Sequence, residues 1–482
     1  MSYNHLSQLF PPLTPITSEW MKQVTGDHTL INKLFETYGS PLNLHNLEPF
    51  TKNYKQYAAL LDTYELDYSI FFARKANKSF GFVEKAKQTG FGVDTASFRE
   101  LKQCLDIAFP TQKLVLTAAI KDESLVQLAL ENEVLIILDN EDECQLVNRL
   151  AARQNIKAKV GLRISGFKYK DEKLYSRFGI DIDDTYAFVS QNLDTQGKYD
   201  KLQLSGFHFH LDGYSIPQRG QALLQTIALA HKLKNKGITT SFIDIGGGFL
   251  TNYLSEKQQW KTFWEELKKA VRGERPQLTF GNNGLGYELI DQKIYGSPTV
   301  YPYFNETPKA DFLERVLTTK NKNGQTAASL LRQRDIELRM EPGRSLLDQT
   351  GMTVARVVHR KKDTRGNWLV GLQINRSQMT SSSADFLVDP AYIPLQASQK
   401  NEKPVAVYFT GAYCLEKDII LKRKIVLPRL PRIGDAVAFL NTAGYMMHFY
   451  ETESHLLKKT TNLMADGNAP LQFSLDETEE EY

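Results

Sequence analysis

The middle of the chain repeats one rhythm: a short apolar run, a turn, then a longer stretch with helical spacing. The runs are Tyr68–Arg74, Phe91–Asp94, Lys113–Thr117, Val134–Asp139, Lys159–Ile164, Gly206–His210, Phe242–Ile245 and Ile336–Glu341. They are short and rich in Val, Ile and Phe, the pattern of strands buried on both faces. Between them Ser97–Ile107, Asp122–Glu131, Asp142–Gln154 and Gln218–Lys236 have helical composition and spacing. This alternation predicts parallel βα units, and eight of them fit an α/β fold of the closed (β/α)8 TIM-barrel type. A doubly wound open sheet is the structural alternative. One long insertion, roughly Asn282–Arg334, separates the seventh and eighth runs, with Gly, Asn and Pro breakers followed by a charged helical stretch. After Gly351 the texture changes. MTVARVVHRKK, GNWLVGLQI, PVAVYFTG, IVLPRL and DAVAFLNT are β-rich pieces between turns, so an all-β domain follows the barrel. The closing LDETEEEY reads as a frayed, solvated tail.

Composition narrows the function classes. At 482 residues the chain is too long for one typical core, and 41% hydrophobic with 24% charged residues is ordinary for a globular protein. A net charge of +3 without a dense Lys/Arg stripe gives nucleic-acid binding no electrostatic support. Three cysteines, Cys104, Cys144 and Cys414, with no CxxC pair argue against a disulfide framework or a structural zinc site. No basic region followed by an apolar run opens the sequence, and no apolar run is long enough to cross a bilayer. The expected setting is therefore soluble, reducing and cytoplasmic, with no membrane partner.

In a parallel barrel the reacting groups lie at the carboxyl ends of the strands, and unusual polar residues collect there. The first run ends in FFARKANKS, with Lys75 at the strand terminus. A solvated lysine at a loop start is the ordinary reading. The sharper one is a desolvated amine, its pKa lowered by burial, that forms an imine with an aldehyde cofactor. The sixth run ends in HFHLDGYS, where His208 and His210 share one strand face. They read as metal ligands lacking a third partner, as core histidines, or as an imidazole stacked on a cofactor ring. The seventh ends in IDIGGGF, where successive glycines let backbone N–H groups close on a phosphate; a tight turn is the plain alternative. It is not the GxGxxG dinucleotide fingerprint. The eighth ends in RMEPGRS. There Glu341 beside a pyridine nitrogen would keep it protonated and Arg344 would clasp phosphate, against a merely structural Glu–Arg pair.

Taken in order from about Leu44 to Tyr450, these segments resemble the fold-type III pyridoxal-phosphate decarboxylases, which include ornithine, arginine and diaminopimelate decarboxylases. FARKANKS resembles the cofactor-lysine segment, with Lys75 as the linking residue. GVDTASFREL matches at Asp94, Ala96, Ser97 and Glu100, and SRFGID has Arg177 where a lysine is usual. FHFHLDGYS aligns His210 with the ring-stacking histidine, and IDIGGGF aligns Gly246, Gly247 and Gly248 with the phosphate loop. EPGRS aligns Glu341 with the pyridinium partner and Arg344 with a phosphate or substrate contact. GAYCLEKD carries Cys414, the catalytic cysteine, and Asp418, and NTAGYMM places Tyr445 at the cofactor-contacting tyrosine. The resemblance implies pyridoxal 5'-phosphate as cofactor, no metal, and an alanine racemase-like barrel over residues 50–345. It implies a β domain over 346–472 to which residues 1–49 contribute, with 473–482 left as the acidic tail. It also implies a head-to-tail homodimer in which Cys414 reaches the partner's barrel.

Three departures from the family pattern stand out, and the first two bear on the substrate. Leu415 follows the cysteine where diaminopimelate decarboxylases carry a substrate-binding glutamate, and Asp389 stands where they have an arginine for the distal carboxylate. An anionic Asp389 facing the pocket would favour a distal amine. Asp212 and Gly213 replace a Gly-Ser phosphate contact, with Ser215 near enough to compensate. The expected activity is decarboxylation of an amino acid, a diamino acid or its conjugate, with Lys75, His210, Glu341 and Cys414 catalytic and Arg344, Asp389, Leu415 and Asp418 contacting substrate. The alternatives are a racemase or epimerase on the same fold, for which the family branch usually has an arginine in place of Glu341, and a non-catalytic regulatory homologue.

Overall fold

Each of the eight apolar runs forms a strand in the computed structural model, which describes residues 2–193, 197–397, 402–467 and 470–476. The strands are Tyr68–Ala73, Gly92–Thr95, Leu114–Leu116, Leu135–Leu138, Ala158–Ser165, Leu202–His208, Phe242–Asp244 and Glu337–Met340. They pair in parallel in sequence order, and the eighth pairs with the first, so the sheet closes into a barrel rather than ending in free edges.

A period of two along each strand decides what fills the barrel and what crowns it. Phe71, Val115, Ile137 and Phe242 meet in the interior as a small apolar plug. Glycines in neighbouring strands make room for it. A Cβ on Gly92 would lie 2.3 Å from the Phe71 ring, one on Gly161 2.4 Å from Ile137, and one on Gly206 2.5 Å from Phe242. Two residues further along the same strands stand Asp94, Thr117, Asp139, Arg163, His208 and Asp244. Glu341 holds the same position relative to Arg339, whose guanidinium lies 4.0 Å from the Phe242 ring centroid. Polar side chains thus form one inward ring at the carboxyl ends of the strands.

Side-chain caps start the outer helices. Ser97, Asp122 and Asn140 each accept a backbone N–H at the start of Phe98–Asp106, Glu123–Glu131 and Glu141–Arg153. The segment expected as an insertion contains regular barrel helices. Lys309–Leu317 and Ala327–Gln333 pack on Ile216–Lys234 and complete the helical layer, because their apolar faces share its core. The true excursion lies earlier in the chain. It holds the helix Lys257–Val271, the hairpin Tyr287–Ile290/Lys293–Gly296, and the extended segment with Tyr301 and Tyr303. Phe263, Leu267, Tyr301 and Tyr303 are buried against the second domain.

That domain is a nine-stranded sheet. Leu42–His45 pairs antiparallel with Gly351–Lys362 and parallel with Thr461–Ala465, so the two ends of the chain build it together. The acidic tail begins later than expected. Phe473–Leu475 pairs with Thr461–Ala465, and the buried Asp476 carboxylate accepts the N–H groups of Phe80 and Gly81 at 2.8 and 3.0 Å. Residues 477–482 lie outside the described residues. No helix among the described residues is long and apolar enough to cross a membrane.

Candidate active site

Lys75 leaves the first strand on a short 3-10 turn, anchored by its neighbour. The buried Arg74 guanidinium donates to the Glu100 carbonyl at 2.8 Å and to Gln103, which fixes the turn to the next barrel helix. Lys75 Nζ donates to Asp94 Oδ2 at 2.8 Å, and Thr117 donates to the other Asp94 oxygen. Although 36% of the Lys75 side chain is exposed, the barrel mouth still desolvates its amine, which alone would lower the pKa. The Asp94 and Glu341 carboxylates outweigh that and hold the ammonium above its ordinary range. The expectation of an amine activated by burial is therefore reversed in the free chain, where two facing carboxylates keep Lys75 protonated.

Glu341 is 2% exposed at the end of the eighth strand. Its Oε1 lies 3.2 Å from His208 Nε2 but is too poorly aligned to bond, and it has no hydrogen-bond partner among the described residues. Burial raises both Glu341 and the adjacent Asp244, and Glu341 raises Asp244 further. His208 joins this pair, with ligand atoms of the three residues within 4.8 Å of one another. The partner that the sequence failed to offer His208 is thus acidic, and His210 belongs to a different part of the site.

His210 is set by the glycine turn. Gly247 N–H donates to His210 Nδ1 at 3.2 Å, so Nδ1 is an acceptor, and burial keeps the imidazole neutral. Gly246 N–H donates to Asp244 Oδ1 at 2.8 Å. The expected three-donor phosphate cradle is corrected on this point: two of the N–H groups are committed inside the protein, and Gly248 N–H is the one with no acceptor among the described residues. Positive φ angles of 64° at Gly246 and 84° at Gly248 explain why glycine occupies both.

A cavity of about 190 Å³ opens beside this turn, lined by His210–Tyr214, Gly248, Phe249, Gly343–Ser345, Ser382, Tyr445 and Phe449. Arg344 donates to Tyr253 Oη at 3.3 Å and the Gly444 carbonyl at 3.1 Å, and its guanidinium lies 4.3 Å from the Tyr301 ring centroid. No carboxylate among the described residues pairs with it. Tyr445 sits at φ 67°, unusual for a non-glycine residue, with its N–H bonded to the Ala76 carbonyl next to Lys75. The donor set matches pyridoxal phosphate at every end: an amine for the aldehyde, a neutral imidazole for the ring, an orphaned buried carboxylate for the pyridine nitrogen, and an unpaired guanidinium for the phosphate.

Residues 47–282 match the family described as pyridoxal-dependent decarboxylase, pyridoxal binding domain. That match spans just under half of the 482 residues and marks the barrel as similar to the pyridoxal binding domain of these decarboxylases. The full-length relatives are distant. An uncharacterised protein of Sinorhizobium fredii is 29% identical over 425 residues, 87% of this chain and 86% of that one. The diaminopimelate decarboxylase of Staphylococcus aureus is 22% identical over 458 residues, covering 93% and 94%. In fold, the lysine/ornithine decarboxylase of Vibrio vulnificus, solved with putrescine, superposes with a TM-score of 0.66 at 17% identity, covering 94% of this chain and 99% of that one.

Within this site, several expected contacts take other partners. Asp389 accepts the Leu13 N–H at 2.9 Å and pairs with Arg423 at 2.5 Å, so its charge is balanced within the chain. Asp418 is 4% exposed and accepts the N–H groups of Arg376 and Tyr413, both at 2.8 Å. It shapes the loop that carries Cys414. Ser215 caps Ile216–Lys234, its Oγ accepting Gln218 N–H. Cys414 and Leu415 are exposed on that loop and do not line the cavity of their own chain. Arg163 and Asp139, 3.6 Å apart in the polar ring, were absent from the expected site. The signal for them was present: each lies two residues after a plug-level position, Gly161 and Ile137.

Proposed function

We propose that this protein decarboxylates an α-amino acid with a long, polar side chain, a diamino acid or a conjugate of one, releasing CO2 and the amine. The observation that carries the reading is the buried Glu341 Oε1 left without a hydrogen-bond partner. A carboxylate there holds a pyridine nitrogen protonated, which favours full electron withdrawal and loss of CO2 over racemisation. Pyridoxal phosphate, when bound, supplies an aldehyde that captures an amino group and a ring that accepts the electrons released with CO2.

The chain's own residues do the rest. Asp94 Oδ2 aims Lys75 Nζ and is the nearest base to take its proton, while the Thr117 hydroxyl holds the second oxygen in place. His210, neutral and pinned at Nδ1, offers a flat, uncharged face that neither attracts nor repels ring electrons. Arg344 and Tyr445 close the phosphate end of the cavity. Cys414, exposed on its clamped loop, reaches the cavity of a second copy, where its thiol returns a proton to carbon. The named activities of the Staphylococcus and Vibrio relatives support a basic or diamino substrate. With Asp389 committed to Arg423, recognition of the distal group falls to the exposed Cys414–Leu415 loop and the rim of the cavity.

A screen of D- and L-diamino acids and their conjugates, read as CO2 release, tests this. The wild type is expected to release CO2 from at least one of them, and Lys75→Ala to release none and to lose the visible absorption of the bound cofactor. Loss of optical rotation without CO2 would contradict the reading, as would unchanged turnover in Lys75→Ala.

A further inference from the structure

A second cation stands behind the phosphate end of the cavity, and no site expectation anticipated it. Arg219 lies in the first turn of Ile216–Lys234 and is 0% exposed. Its Nη1 donates to the Ile245 carbonyl at 2.9 Å, its Nη2 reaches the Gly213 carbonyl only at 3.5 Å, and its Nε has no partner among the described residues. No carboxylate among the described residues lies within ion-pair distance. The rings of Phe249 and Phe312, at 5.7 and 6.0 Å, are its other neighbours. Burial lowers its pKa to about 10, which still leaves a full positive charge at neutral pH. An uncompensated buried guanidinium is costly unless something anionic completes its surroundings.

The geometry says where that anion sits. A Cβ placed on Gly248 would lie 2.7 Å from Arg219 Nη2, so the guanidinium presses directly on the back of the glycine whose N–H has no acceptor. Gly213, on the other side of Nη2, lines the same cavity. Arg344, which has no carboxylate partner among the described residues, lines this volume as well. Asp212 and Gly213, in contrast, offer no hydroxyl donor, and Ser215 Oγ is engaged as a cap.

We infer that Arg219 is the buried counter-charge for a phosphate monoester dianion in this cavity, replacing the serine contact that the Asp212–Gly213 turn has lost. It acts through the thin wall formed by Gly213 and Gly248, as a positioning residue for the cofactor's phosphate, and its closeness adds to the positive φ that already requires glycine at 248. The inference rests on the pyridoxal-phosphate reading of the site.

Titration of the cofactor-free protein with pyridoxal phosphate and, separately, with pyridoxal tests it. Arg219→Met is expected to weaken pyridoxal phosphate on the order of tenfold to a hundredfold, the size of an attraction between opposite charges across a thin protein wall at an effective dielectric of about 20. It is expected to leave pyridoxal binding near wild type, and inorganic phosphate is expected to stop competing. Arg219→Lys is expected to retain most of the phosphate preference. Arg219→Gln, which keeps a planar donor without charge, gives the same readings where the methionine variant does not fold. Equal loss of both ligands, or none, in the uncharged variants would overturn the inference while leaving the functional reading intact. A wild-type chain that takes up neither ligand would overturn the functional reading itself.

Discussion

Lys75 must shed a proton before it can attack an aldehyde, and in the free chain Asp94 and Glu341 help it keep that proton. Both carboxylates raise the amine's pKa above what burial would give, so capture of the cofactor is expected to quicken as pH rises toward that pKa. Asp94→Asn removes the nearer charge, at 2.8 Å, and lowers the Lys75 pKa. The rising limb of the capture rate then moves to lower pH, and the free amine at neutral pH grows about tenfold for every pH unit the limb travels. Stopped-flow absorbance across pH checks this; an unmoved limb would remove Asp94 from the account. At this scale the sequence reported residue types at strand ends well. Lys75, His210, Glu341 and Arg344 follow from the βα rhythm, because a strand terminus is a local feature. The partners of Asp389 and Asp418, Arg423 with Leu13 and Arg376 with Tyr413, could not be read from the sequence, because they are set by tertiary folding that spacing does not encode. Arg219 was invisible for the same reason: on a helix it looks like a solvated face.

Among elements, the barrel strands show one logic: a glycine or plug residue at mid-height, then a polar residue one pleat later. Gly92 and Asp94 are such a pair, as are Gly161 and Arg163, and Gly206 and His208. Packing of the plug therefore fixes the height of the catalytic ring. Gly92→Ala places a methyl 2.3 Å from Phe71 and is expected to cost about 1–3 kcal/mol of stability by overpacking. Phe71→Leu in the same chain is expected to recover part of that loss, measured by chemical denaturation. Independent, additive losses would mean that the two residues do not share the interior. The alternation of strands and helices was legible here, since hydrophobic period reports it directly. The insertion's limits were not, because Lys309–Leu317 and Ala327–Gln333 differ from surface helices only in what they pack against.

For the whole molecule, Cys414 is exposed and lies outside the cavity of its own chain. The proposed function has a second copy bring Cys414 to the first copy's cavity, so that each chain completes the other's site. Mixing Lys75→Ala protein with Cys414→Ala protein, each nearly inactive alone, is expected to restore measurable turnover, because one of the two mixed sites has both residues intact. Activity that never rises above that of the parents would place Cys414 outside the shared site. The family resemblance implied that both chain ends build the second domain, although the last paired strand, Phe473–Leu475, sat in a segment whose charge concealed it.

The central claim is a covalent link between one particular amine and an aldehyde, and reductive trapping measures it directly. Two lysines compete for the role near the barrel mouth. Lys75 is half-buried and faces Asp94, whereas the buried Lys121 has its Nζ tied to Glu143 at 2.9 Å and to the Ala118 carbonyl at 2.7 Å. Protein loaded with pyridoxal phosphate, reduced with borohydride, digested and mapped by mass spectrometry is predicted to carry the phosphopyridoxyl group on Lys75. A label on Lys121, or on no lysine of the barrel, would contradict the account.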